Sequence, residues 1–224
     1  GSPFLASCSA GQVERVVKFK DNLVLFRRVQ STDTQKYYYY RDTELEIYSL
    51  ADPLKPVKVS TVKLTGSYIP YYWYWCGSAG FWGGYWFNYY SNDSWVTTDH
   101  GLVFYRNSYD YQTRTRLRQL VSVNLDTITA PKVEEIPLSQ NTDQTYLGLV
   151  PDPAQQGTFL MSYREPSGSY TSSGKTFTSY KYYALRYQYG VNGWLQTDKI
   201  NLPGQLMKTF ASGGETLFLT YDYT

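Results

Sequence analysis

Histidine, cysteine and methionine are nearly missing from this chain: one, two and two among 224 residues. A single histidine and two distant cysteines cannot supply the clustered nitrogen and sulfur donors of a zinc site. A Ser-His-Asp triad would have to use His100, which stands in the run Thr98-Asp99-His100-Gly101 and reads as a turn residue. Charge is sparse too. Lys+Arg number 21 and Asp+Glu 19, a formal net charge of +2, too weak to hold nucleic acid or an anionic membrane by bulk electrostatics. No apolar run approaches the ~20 residues of a membrane-spanning helix, and the sequence shows no signal peptide. Gly174-Lys175-Thr176 ends a stretch that resembles a P-loop only superficially: Ser169 holds the place of the required first glycine, and the surroundings read as a β hairpin. No cofactor is expected.

Two readings are open for Cys8 and Cys76. They form one bridge if the protein is exported, or they are two free thiols. Gly1-Ser2 reads as a cloning remnant, and residues 1–12 as an N-terminal segment outside the repeats. Leu5-Ala6-Ser7-Cys8 matches the small-residue pattern before a bacterial lipoprotein cysteine, although no hydrophobic stretch stands ahead of it.

Aromatic residues are what the chain has in excess: 25 Tyr, ten Phe and six Trp. Flat, stiff side chains suit the pleated surface of strands, and tyrosine adds a polar tip that suits wet binding surfaces. Helical periodicity is nearly absent, and short apolar or alternating runs between turn residues dominate. The runs repeat. Leu45-Glu46-Ile47-Tyr48-Ser49-Leu50 leads into Ala51-Asp52-Pro53-Leu54-Lys55-Pro56 and then a strand over 57–64. From Leu120, 75 positions after Leu45, Leu120-Val121-Ser122-Val123-Asn124-Leu125 leads into a turn ending at Pro131 and a strand over 132–138. A looser third copy runs over 182–189, Gly190-Val191-Asn192-Gly193 and 194–202. Two further short strands precede each copy, and another two follow the third.

The unit is therefore a four-stranded antiparallel meander, here labelled A to D. Four-stranded units of about 40–60 residues are the mark of propeller blades. The expected fold is all-β and propeller-like: blade 1 over 13–64, an aromatic insertion over 65–93, blade 2 over 94–138, blade 3 over 139–202, and the first two strands of a further blade over 203–224. The alternative is a β-sandwich, whose strands also recur with turn signals. Open sheet edges are avoided in nature, so closure requires either a strand from residues 3–8 or, the preferred reading, a larger ring. The stretch 45–59, with its strand, Asp52-Pro53, two spacers, Pro56 and strand, resembles the LVIVD-type repeats of bacterial secreted β-propellers. The second copy keeps the later proline but has Asp126-Thr127 in place of Asp-Pro, and the third has neither proline. The resemblance covers about a third of the chain. It implies a propeller at the cell surface or beyond, and it supplies no catalytic residues.

In such a meander the A–B and C–D turns lie at one end and the B–C and D–A connections at the other. Nearly every long segment falls in the second set: 30–42, 65–93, 107–116 and 164–179. Thirteen of the 23 residues from Tyr68 to Tyr90 are aromatic. At least half of these rings are expected to pack on one another, since exposing all would invite aggregation. The rest would form a Tyr/Trp/Arg surface, a composition enriched at interface hot spots, with Tyr38, Tyr39, Arg41, Trp73, Trp75, Trp82, Trp86, Tyr109 and Arg114 as the candidate binding residues. The expected function is a non-enzymatic, extracytoplasmic module for protein–protein interaction or adhesion. Glycan binding on the same end is the first alternative, because Trp and Tyr faces stack on sugar rings. A glycoside-cleaving propeller with carboxylates drawn from distant blades is the second. The acids, however, sit mostly in turns (Asp21, Asp52, Asp99, Asp126, Asp152), where they bond backbone amides, while Glu44 and Glu46 alternate with Leu45 and Ile47 and so are expected to face solvent. Asn92-Asp93-Ser94 is one glycosylation sequon, with meaning only in a eukaryotic secretory setting.

Overall fold

The computed structural model describes residues 13–30, 41–64, 95–110, 115–141 and 143–221, with backbone alone at 14–15, 28, 30, 41–42, 106–110, 115–117 and 137. Fourteen strands and no helix make up these residues. In chain order they are β1 (Val13–Phe19), β2 (Asn22–Gln30), β3 (Arg41–Ser49), β4 (Val57–Leu64), β5 (Trp95–Thr98), β6 (Gly101–Asp110), β7 (Thr115–Asn124), β8 (Lys132–Pro137), β9 (Thr145–Pro151), β10 (Thr158–Ser172), β11 (Lys175–Gly190), β12 (Gly193–Leu202), β13 (Gln205–Ser212) and β14 (Glu215–Tyr221). They form three four-stranded sheets, each pairing its strands in chain order, and the two-stranded β13–β14 sheet. The four sheets and the A-to-D meander read from the sequence are present.

Local chemistry explains why the meander repeats. After β3, the backbone amide of Ala51 bonds Ser49 Oγ at 3.3 Å, and the amide of Lys55 bonds the Asp52 carbonyl at 3.0 Å. Seventy-five positions on, the amide of Asp126 bonds Asn124 Oδ1 at 2.9 Å, and that of Ala130 bonds the Thr127 carbonyl at 3.0 Å. Side chains that capture a nearby amide close such turns. The turns before β2 and after β10 use left-handed backbone instead, with positive φ at Lys20 and at Ser173 and Gly174. The paired positive φ angles at Ser173 and Gly174 match the right-handed twist of the strands they join.

The chain divides into two compact units, residues 1–91 with 124–132, and 92–123 with 133–224. In the first unit, Val24 and Phe26 of β2 sit opposite Ile47 and Leu45 of β3, and all four are essentially buried. The reverse face of β3 departs from the sequence expectation. Glu46 is only 8 % exposed, because Arg27 Nε bonds it at 2.8 Å from β2 and Lys58 Nζ at 2.7 Å from β4. Simple alternation sends Glu46 to water; two cross-strand cations cover it instead. The Lys58 bond above all, and the Arg27 bond with it, outweigh burial and lower the Glu46 pKa. Ser60 Oγ donates to the Ile128 carbonyl, tying the 124–132 turn to β4.

The second unit is layered. Phe159, Met161 and Tyr163 of β10, with Leu149 of β9 and Tyr187 of β11, pack against Val96, Val103, Leu120 and Ile136 of the β5–β8 sheet. The opposite face of the β9–β12 sheet carries Val150, Leu160, Tyr182, Ala184 and Leu202, and these pack with Leu206 of β13 and Phe218 of β14. Both faces of that sheet are thus covered, by different sheets. Each large side chain fully buried in this way contributes about 1.5–3 kcal/mol. The β5–β8 sheet is likewise buried on its second face, at Leu102, Phe104, Val121 and Val123. Polar ties join the layers: Trp194 Nε1 donates to Ser122 Oγ at 2.9 Å, and Thr209 Oγ1 to the Pro151 carbonyl at 2.8 Å. Asp152 departs from the pattern expected of a turn acid. Asp52 does accept the Leu54 amide at 3.0 Å, but the carboxylate of Asp152 is fully buried against Arg186 Nε at 2.8 Å and accepts the Thr216 hydroxyl.

Candidate binding surface

Two of the long connections are largely strand: 164–179 forms the Ser/Thr/Gly-rich hairpin that the sequence predicts, and 107–116, expected as a connection, is mostly ladder. β10 and β11 run unbroken through 164–179, pairing from Thr158↔Gln188 out to Ser172↔Lys175 with one bulge near Ser167. β6 continues to Asp110 and β7 starts at Thr115, so most of 107–116 is ladder. Tyr109 therefore lies in a strand and not in a loop, and Arg41 is the first residue of β3. Tyrosine, threonine and arginine there extend the pleat instead of ending it. Tyr38, Tyr39, Trp73, Trp75, Trp82, Trp86 and Arg114 lie outside the described residues, as do Cys8 and Cys76.

The outer part of β10 and β11 forms an arm exposed on both sides. Its pleat separates two faces. Tyr170 and Phe177 oppose each other, rings 5.3 Å apart and 18° from parallel, and they are 60 % and 44 % exposed. The other face carries hydroxyls, Ser169, Thr171, Thr176 and Thr178, with Thr171 and Thr176 hydrogen-bonded across the ladder. At the arm's base the Arg164 guanidinium lies 4.2 Å from the centroid of the Tyr180 ring. Its Nε is buried without a hydrogen-bond partner. A second hollow of about 340 Å³ opens there, lined by Tyr180, Lys181, Tyr182, Tyr183, Asn201, Leu202 and Pro203.

A cleft of about 220 Å³ lies between the β5–β8 and β9–β12 sheets. It sits toward the B–C and D–A end, since its lining includes Arg118 near the start of β7, Ser139 beyond β8 and Gln144 just before β9. Tyr105 and Tyr146 stack in it, with centroids 3.6 Å apart and planes 13° from parallel. Met161, Leu185 and Tyr187 add apolar surface. Burial pushes the Tyr187 hydroxyl up to about 12 and also raises Tyr163, so both are neutral phenols at physiological pH. The neighbouring Tyr163 hydroxyl raises the Lys199 pKa, and the Lys199 ammonium sits 3.9 Å from the centroid of the Tyr183 ring. No pattern along the chain marks this cleft. Its residues come from six strands and the β8–β9 connection, and only spatial pairing unites them.

His100 stands in the β5–β6 turn as expected, its ring 4.3 Å from Tyr189. Among the described residues no group of three or more His, Cys, Asp or Glu is placed to hold a metal ion, and no helix is long and apolar enough to cross a membrane. Comparison with protein-family models, curated proteins and solved structures gives no match to this chain.

Proposed function

We propose that this chain is a non-enzymatic binding module of propeller-like build that acts outside the cytoplasm and holds another protein through its B–C and D–A end. The propeller reading is supported by the repeated meander and by the coverage of both faces of the β9–β12 sheet. A two-layer sandwich leaves one face of each sheet to solvent. The binding reading rests on one observation, the β10–β11 arm. A long two-stranded ribbon with water on both sides gains little from its own contacts. This one nevertheless displays a stacked Tyr170–Phe177 pair, and exposed aromatics of this kind anchor protein interfaces. The resemblance of 45–59 to secreted propeller repeats supports the extracytoplasmic placement.

The test is replacement of Tyr170 and Phe177 together by serine, which leaves the buried sheet untouched. Wild-type and variant chains are immobilised and exposed to the extracellular fraction of the source cells, and retained proteins are compared by mass spectrometry. A protein kept by the wild type and lost with the variant, at unchanged melting temperature, is the expected result. Equal retention by both chains removes the arm from the proposal.

A further inference from the structure

We infer that the cleft between the β5–β8 and β9–β12 sheets binds a carboxylate-bearing sugar ring, a uronic-acid residue of an acidic polysaccharide. This site is separate from the aromatic pair on the arm and does not depend on it. Three features of the lining select the ligand. The first is sign: among the described residues Arg118 and Lys199 line the cleft and no carboxylate does. Glu165 accepts from Nε2 of the lining residue Gln144 at 2.7 Å. The Lys199 ammonium is exposed and lies 3.9 Å from the centroid of the Tyr183 ring and 5.7 Å from that of Tyr163. Arg118 is fixed at the rim by two bonds from Nη1, to the Asn141 carbonyl at 2.8 Å and the Gln144 carbonyl at 2.6 Å. Those bonds leave Nε and Nη2 for an incoming oxygen. A carboxylate between an ordered guanidinium and an ammonium makes charge-assisted hydrogen bonds, about twice as strong as neutral ones.

The second feature is flatness. The stacked Tyr105–Tyr146 pair lines the cleft, and Met161 and Leu185 add apolar surface. The C–H face of a pyranose suits such walls. The third is neutral hydrogen bonding. Ser139 and Gln196, together with the side-chain Oε1 of Gln144, whose Nε2 bonds Glu165, can exchange hydrogen bonds with ring hydroxyls. A purely aromatic acid would leave these groups unpaired. At about 220 Å³ the cleft is smaller than the range for drug-sized ligands and holds one ring, with the rest of a chain outside.

The experiment is calorimetric titration of the full chain with trigalacturonate, the matching neutral galactose trimer, and benzoate. Lys199→Met keeps the apolar stem and removes the charge, and Lys199→Arg restores it. The expected result is saturable trigalacturonate binding that weakens about tenfold in Lys199→Met, recovers in Lys199→Arg, and falls in about 0.5 M NaCl. The neutral trimer binds at least about tenfold more weakly, and the Tyr170/Phe177 double variant binds as the wild type does. If Lys199→Met disturbs the near-UV spectrum, the neutral-against-acidic comparison on the wild type decides alone. Equal affinity for the two trimers overturns the inference. So does benzoate binding as tightly as trigalacturonate, or no saturation up to about 10 mM.

Discussion

Asp152 offers the sharpest measurement of what holds the layers of the second unit together. Its carboxylate is fully buried, with Arg186 Nε at 2.8 Å and the Thr216 hydroxyl as its partners. Arg186 is itself 15 % exposed and carries a second bond, Nη1 to Asp198 at 2.8 Å. Removing one member of a buried ion pair strands the other, at about 3–5 kcal/mol. Asp152→Ala should fall at the lower end of that range, about 3 kcal/mol, because Asp198 still serves the guanidinium. Arg186→Met should fall at the upper end, about 5 kcal/mol, since the carboxylate it leaves has no solvent and only one hydroxyl. The double variant Asp152→Ala/Arg186→Met strands neither charge. It should cost well under the sum of the singles, giving a coupling energy of about 2–4 kcal/mol. Urea unfolding of the four chains, followed by tryptophan fluorescence, yields that cycle. A coupling below about 1 kcal/mol would mean that water reaches the pair, and the reasoning from its burial would fail.

Two further outcomes follow from named residues. The folded-state pKa of Glu46 lies below its unfolded value, so its stabilisation is present above the unfolded carboxyl range, near pH 4.3, and disappears as pH falls through the lower folded value. Glu46→Gln should therefore flatten the acid limb of the stability–pH curve, and an unchanged limb would count against the Arg27–Glu46–Lys58 cluster. Gly174→Ala adds a methyl group that meets nothing within 4 Å, so only its positive φ is penalised. About 1 kcal/mol should be lost, visible as faster amide exchange confined to the arm with no shift in global unfolding.

The order of the strands was legible because turn chemistry and apolar runs recur in the same sequence positions. Ser49 and Asn124 close corresponding turns, and the repeat in the sequence aligns them. The hairpin over 164–179 was legible in its Ser/Thr/Gly-rich composition, but apolar periodicity does not show how far β10 and β11 run, since 165–181 is rich in Ser, Thr and Tyr. Glu46 was misread because alternation reports which side of a strand a residue takes, not what neighbouring strands lay over that side. The cleft has no signature at all along the chain, as Tyr105, Arg118, Tyr146, Tyr163 and Lys199 meet only through packing.

The arm's freedom from the core gives it a parity. Deleting one residue from each strand outward of Tyr170 shortens its reach by about 3.4 Å and leaves the aromatic pair where it was. The same deletion nearer the sheet rotates the pair onto the threonine side, and deleting two per strand returns it. Reach and handedness can thus be altered separately, by length alone, without touching a residue of the interior.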